Sequence, residues 1–153
     1  MELQHSKNLF CFAGFSSAKA SSEYKDEMKP EYSIDGKISK NAHKHLFHSK
    51  KEDYPWLEMT MPEGLIRGVY VYTRYDYGSR LENIEVRAGI ASVPEGFKGR
   101  LTINTQVGFF PGPAESAKVY SIIFDKTVLA KYITLQRIRE KATLEINEVM
   151  IIV

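Results

Sequence analysis

Residues 55–89 read PWLEMTMPEGLIRGVYVYTRYDYGSRLENIEVRAG, and the pattern of this stretch decides the fold class. Leu57, Met59 and Met61 alternate with Glu58 and Thr60. Val69, Val71 and Thr73 alternate with Tyr70, Tyr72 and Arg74, and Ile84, Val86 and Ala88 with Glu85 and Arg87. A strand turns successive side chains to opposite faces, so a period of two marks a strand with one buried face. The stretch predicts three strands, at 56–61, 66–74 and 84–88. The connection between the second and third carries a polar cluster, Arg74, Asp76 and Arg80, around Tyr75, Tyr77 and Gly78.

Outward from there, short apolar runs predict further strands at 8–12, 100–104, 119–124, 132–136 and 144–152. No amphipathic helix of three turns is present, although short helical turns fit near Met28 and at 127–130. Many short strands separated by turn residues point to an all-β sandwich or barrel. The 153 residues suit one domain spanning 1–153 with a full core.

A hydrophobic fraction of 43% and a charged fraction of 26% describe an ordinary globular chain. The net charge of +2 is too small and dispersed to argue for nucleic acid. No apolar run approaches a membrane span of about 20 residues, and the start, MELQHSKN, lacks the apolar centre of a signal peptide. A single cysteine, Cys11, forbids internal disulfides and reads as a small apolar residue of the first strand.

Four constellations carry possible chemistry. His43, His45 and His48 lie in a long basic loop, 37–53; they read either as metal ligands without a known spacing or as a solvated loop. Arg74, Asp76 and Arg80 read as a surface salt bridge or as a polyol site. In the second reading Asp76 fixes one guanidinium and leaves other N–H groups as donors beside Tyr rings. The carboxylates Asp53, Asp76, Glu82 and Glu85 form no pair that suits acid–base work, and no nucleophile motif is present, so no enzyme activity is expected. Phe109 and Phe110, in the Gly/Pro-rich segment 108–113, either fold over the end of the sandwich or insert into a membrane or partner.

Taken in order, SSAKASSEY, YSIDG, FHS, PWLEM, VYVYTRYDYGSRLENIEVRAG, KYITLQR and LEINEV make the chain resemble the coagulation factor 5/8 type C (discoidin) domain. Within that galactose-binding-like superfamily it looks closest to the F-type lectins (fucolectins) and the family-32 carbohydrate-binding modules. The resemblance runs from about Leu9 to Val153. It implies a β-sandwich jelly roll of about eight strands. It also implies a non-catalytic, lectin-like domain that takes a fucose- or galactose-type glycan through loops at one end. Carried onto this chain, the sugar-binding residues are His48, Arg74, Asp76 and Arg80, with Tyr75, Tyr77 or Phe47 on the apolar face of the sugar.

The chain departs from the lectin pattern in three ways. The spacing from Asp76 to Arg80 is one residue short, Tyr77 and Gly78 stand where a Cys pair is usual, and the late disulfide is missing. The resemblance further implies a structural Ca²⁺ held by Asp35, Glu148 and carbonyls of residues 37–41; without a metal, Asp35 caps its turn and Glu148 pairs with a Lys. It implies an extracellular or cell-surface setting, and an oligomer or a module of a larger protein. The alternative it leaves open is a cell-adhesion module that binds a protein or an anionic membrane through Phe109, Phe110 and the basic loop.

Overall fold

The computed structural model describes residues 11–12, 14–41 and 43–153. Two long antiparallel strands, β4 (Trp56–Tyr72) and β7 (Val119–Arg137), form the spine, paired from Trp56 opposite Gln136 to Tyr72 opposite Val119. The register shifts between Thr60 and Gly64 and between Ile66 and Gly68. Pro62 lies inside the first shift, where its lack of an N–H breaks the ladder without ending the strand. The segments expected at 56–61 and 66–74 are therefore halves of one bent strand, and 119–124 and 132–136 are likewise halves of β7, which takes in 127–130.

Each half has its own neighbours. The first half of β4 pairs with β2 (Ser17–Ala20), and the second with β9 (Glu148–Ile152), which in turn carries β1 (Cys11–Phe12). The last part of β7 pairs with β5 (Ile84–Gly89), and β5 with β6 (Thr105–Phe110). Side chains from both halves of this seven-stranded sheet share the main core. A separate pair, β3 (Phe47–His48) and β8 (Glu145–Ile146), sets His48 opposite Glu145. Cys11 lies in β1, and residues 8–10 of the expected first strand lie outside the described residues. The all-β class is correct. Short 3-10 turns at Asp26–Met28, Pro30–Ile34 and Gly78–Arg80 are its helical content, and no helix among the described residues is long and apolar enough to cross a membrane.

The alternation names the core face well. Leu57, Met59, Met61, Val69, Val71, Ile84, Val86 and Ala88 all belong to the main core. The opposite face of β4 is covered too. Trp56 packs with Val93 and Leu101 in a second cluster. Glu58, buried beneath the same loop, accepts bonds from the Val93 N–H (2.6 Å) and the Ser92 hydroxyl (2.9 Å). This explains why the expected strand at 100–104 is not one. The Leu101 N–H donates to the Gln136 side chain (2.9 Å), and the Gln136 amide donates to Tyr54 O and Gly99 O. The segment is held as a loop by one glutamine instead of by a ladder.

Strand β6 starts later, and that moves two residues. Phe109 and Phe110 belong to a paired strand, with Glu85 opposite Phe109 and Ile84 opposite Phe110, and not to a free loop. Phe110 packs against Tyr120, ring centroids 5.0 Å apart, while Phe109 stays exposed on the sheet. A paired backbone cannot insert as a loop tip does, so of the two readings of Phe109 and Phe110 this strand disfavours the inserting loop.

Candidate functional site

The site is built on Glu145, which the sequence reading passed over. Glu145 is buried, and its carboxylate collects donors from the distant turn after β4 and from the neighbouring Thr143. Arg74 Nη1 donates to Oε1 at 2.5 Å, Arg80 Nη1 to Oε2 at 3.2 Å, and the Thr143 hydroxyl also donates to Oε2. His48 Nε2 stands 3.5 Å from Oε2. Burial alone would raise the Glu145 carboxyl, but His48, Thr143 and Arg74 hold it below the ordinary carboxylate range.

The arginine-bearing turn is set by local chemistry. Tyr77 adopts the left-handed conformation (φ 54°), and Gly78 opens the 3-10 turn that presents Arg80. A Cβ on Gly78 would lie 2.5 Å from Glu115 O and Ser116 N, so only glycine fits this close approach. The Gly78 N–H donates to Ser116 Oγ (2.8 Å) and the Ala117 N–H to Arg74 O (2.9 Å), which docks the turn on residues 114–117.

Arg74 is 4% exposed at its side chain. Asp76 Oδ1 accepts from its Nε (3.2 Å) and lies 3.1 Å from Nη2, while Nη1 is taken by Glu145. Asp76 thus fixes one guanidinium, that of Arg74, while Arg74 Nη1 is spent on Glu145, so the exposed donors of this turn are those of Arg80. Arg80 is the accessible guanidinium, 44% exposed, lying 4.4 Å from the Tyr77 ring centroid.

His48 is nearly buried. Its Nδ1 is 2.6 Å from Ser49 O, and a carbonyl only accepts, so Nδ1 carries the proton. Burial lowers its pKa, opposed by Glu145, which leaves Nε2 of the neutral ring as an acceptor facing the site. Tyr24, exposed, stacks on His48 with centroids 5.0 Å apart. Tyr75 and Tyr77 are exposed. Phe47 is not: it lies in the core with no exposed surface, because β3 alternation turns it opposite to His48. His43 and His45 are exposed, and among the described residues no cluster of three or more His, Cys, Asp or Glu side chains could hold a metal.

Asp35 and Glu148 do come together. The Gly36 N–H donates to Glu148 Oε2 (2.8 Å), and burial with the neighbouring Asp35 pushes the Glu148 carboxyl up to about 8. Its Oε1 is buried with no hydrogen-bond partner, and no Lys pairs with it among the described residues. Asn147 ties this corner to the first, accepting from the Ser39 N–H and donating to Ser39 O and Thr73 O.

Glu145, Thr143 and Tyr24 carried no local signal. Glu145 lies far along the chain from His48, Arg74 and Arg80, and the β3–β8 pairing reveals it.

The described strands have the discoidin, galactose-binding-domain-like β-sandwich fold. A fucolectin from striped bass (Morone saxatilis) serum superposes with a TM-score of 0.77 at 20% identity. The match covers 92% of this chain and 47% of that one, so the chain spans about half the length of the bass protein. The lectin domain of lectinolysin, complexed with Lewis B antigen, gives 0.71 at 20% identity, covering 91% and 93% of the two chains. The family-32 module of NanJ from Clostridium perfringens, in complex with galactose, gives 0.66 at 18% identity over 88% and 91%. No family model matches the sequence, and no curated protein does.

Proposed function

We propose that the chain is a non-catalytic, lectin-like module that binds a fucose- or galactose-type sugar at the Glu145 cluster. One observation carries this reading: His48 from β3 and Arg74 and Arg80 from the turn after β4 converge on one buried carboxylate at a rim of exposed tyrosines. The arrangement suits a polyol. Arg80 donates, His48 Nε2 accepts, and Tyr24 or Tyr75 offers a ring to the apolar C–H face of the sugar. Arg74 and Asp76 hold Glu145 and the turn in place. Glu145 is committed to ion pairs and has no role as a proton donor in this reading. The lectins and sugar-binding modules that share the fold support it.

Asp35 and Glu148 fit a hard cation. The orphaned Oε1 of Glu148 and the facing Asp35 are its oxygen donors, with main-chain carbonyls of residues 37–41 completing the set. Bound there, Ca²⁺ would lock the 37–41 loop to β9. Single sugar sites bind weakly, so avidity would come from repeated modules or an oligomer at a cell surface or outside the cell.

Arg80→Ala is the clean test, since Arg80 is half exposed whereas Arg74 is buried against Glu145. Loss of a charged hydrogen bond costs about 1.5–3 kcal/mol, or roughly ten- to a hundredfold in affinity. Titration of the variant with the sugar picked from a glycan array should show that loss with an unchanged fold. Undiminished binding would remove the site from this cluster.

A further inference from the structure

Beside the Glu145 cluster lies a second cavity, of about 360 Å³, lined by Lys51, Arg80, Arg137, Arg139, Lys141 and Thr143. Two of its lining residues belong to the first site. Arg80 and Thr143 both donate to Glu145 Oε2, so the two sites share a wall. The cavity is strongly cationic. Five basic side chains line it. The carboxylates at its edge are Glu82, Glu145 and Asp53, each already engaged. Glu82 takes Arg137 Nη2 (2.7 Å) and Arg139 Nη1, and Asp53 takes the Lys141 N–H (2.8 Å). Among the described residues the ammonium groups of Lys51 and Lys141 have no carboxylate partner.

An independent feature points the same way. Arg137 is 6% exposed at its side chain, and Nη1 and Nη2 are spent on Thr143 O and Glu82. Its Nε is buried with no hydrogen-bond partner. A charged donor buried without an acceptor is costly, and an anion in the cavity that Arg137 lines would offset the charge of its guanidinium.

We propose that this cavity is a subsite for an anionic substituent, a carboxylate or a sulfate ester, on the glycan bound at the neighbouring cluster. The Lys51 and Lys141 ammonium groups are its donors, the Arg137 guanidinium adds its charge, and Arg80 bridges the two sites. The subsite rests on the sugar reading only for the neutral part of the ligand. It makes the ligand an acidic glycan instead of a neutral one.

The test compares a galactose or fucose oligosaccharide with its sulfated and its uronate or sialylated counterparts, by calorimetry in low and physiological salt. Wild type should bind an acidic form on the order of tenfold more tightly, the gain falling with salt. The better of the sulfated and carboxylated arms names the group. The double variant Lys51→Ala/Lys141→Ala should lose the preference and keep its affinity for the neutral sugar. A parallel NMR titration with inorganic sulfate should shift the Arg137 Nε–H resonance saturably in wild type and much less in the double variant. Equal affinity for neutral and acidic sugars overturns the subsite and leaves the sugar site standing. A sulfate response without any sugar binding overturns the sugar reading and keeps the anion site. Absence of both responses overturns the subsite outright.

Discussion

Glu145 and Glu148 stand three positions apart, on either side of the break at Asn147, and both are buried. Their surroundings are opposite. Glu145 faces Arg74, Arg80 and His48, and its carboxyl is held below the ordinary range. Glu148 faces Asp35 and one backbone N–H, and its carboxyl rises to about 8. Residue type and burial are the same, so the difference lies in which segments the fold brings against each one. A buried carboxylate with cations organises donors. A buried carboxylate beside another carboxylate is driven toward its neutral form.

The largest expected effect breaks the first half of this contrast. Glu145→Ala leaves Arg74 buried without its counter-charge, and removing one partner of a buried pair costs about 3–5 kcal/mol. Urea denaturation should show a loss of that size together with loss of sugar binding. A loss under about 1 kcal/mol would mean that Glu145 is not the pivot of the cluster.

The second half is sharpened by calcium. At a concentration about 100 times its dissociation constant, Ca²⁺ bound only to the folded state adds about 2.7 kcal/mol, visible as a raised melting temperature. Glu148→Gln should abolish that gain. Equal gains in wild type and variant would place any calcium elsewhere.

The smallest effect is in pH. His48 has a folded pKa below its ordinary value, so the unfolded chain binds more protons below about 6.5 and stability falls as pH drops through that range. Glu145, also lowered, adds a further loss below about 4.5. Glu148 works in the opposite sense: its folded pKa is raised, so in calcium-free buffer it costs stability as pH rises from about 4.5 to 8. Melting curves should show that His48→Gln flattens the fall from pH 6.5 to 5.5, while Glu148→Gln gains on wild type toward pH 8. The same slope in all three proteins would show that the two surroundings do not differ as described.

Much of the fold was legible because alternation is a local signal. Leu57, Val69 and Val86 each announce a buried face through their immediate neighbours. What was not legible depended on contacts made across the chain. A bulge around Pro62 joins two expected strands into one. A single Gln136 side chain keeps 100–104 out of the sheet, which shifts β6 and takes Phe109 and Phe110 out of a loop. In the site, His48, Arg74, Asp76, Arg80, Tyr75 and Tyr77 were named from the chain, and the fold brings Arg74 and Arg80 onto the carboxylate beside His48. Phe47 was misplaced because a two-residue strand gives no period to read.

The sequence by itself determined an all-β chain, the inward faces of its central strands and the basic and aromatic groups of the turn after β4. Side-chain type and period act over a few residues, and that is enough for these. Only the tertiary structure decided what those groups do to one another. It turned the Arg74 fork inward, made Arg80 the exposed donor and placed Glu145 at the centre. It also separated the fates of Glu145 and Glu148. Charge interactions inside a protein depend on distance and burial, and neither exists until segments far apart in the chain have packed together.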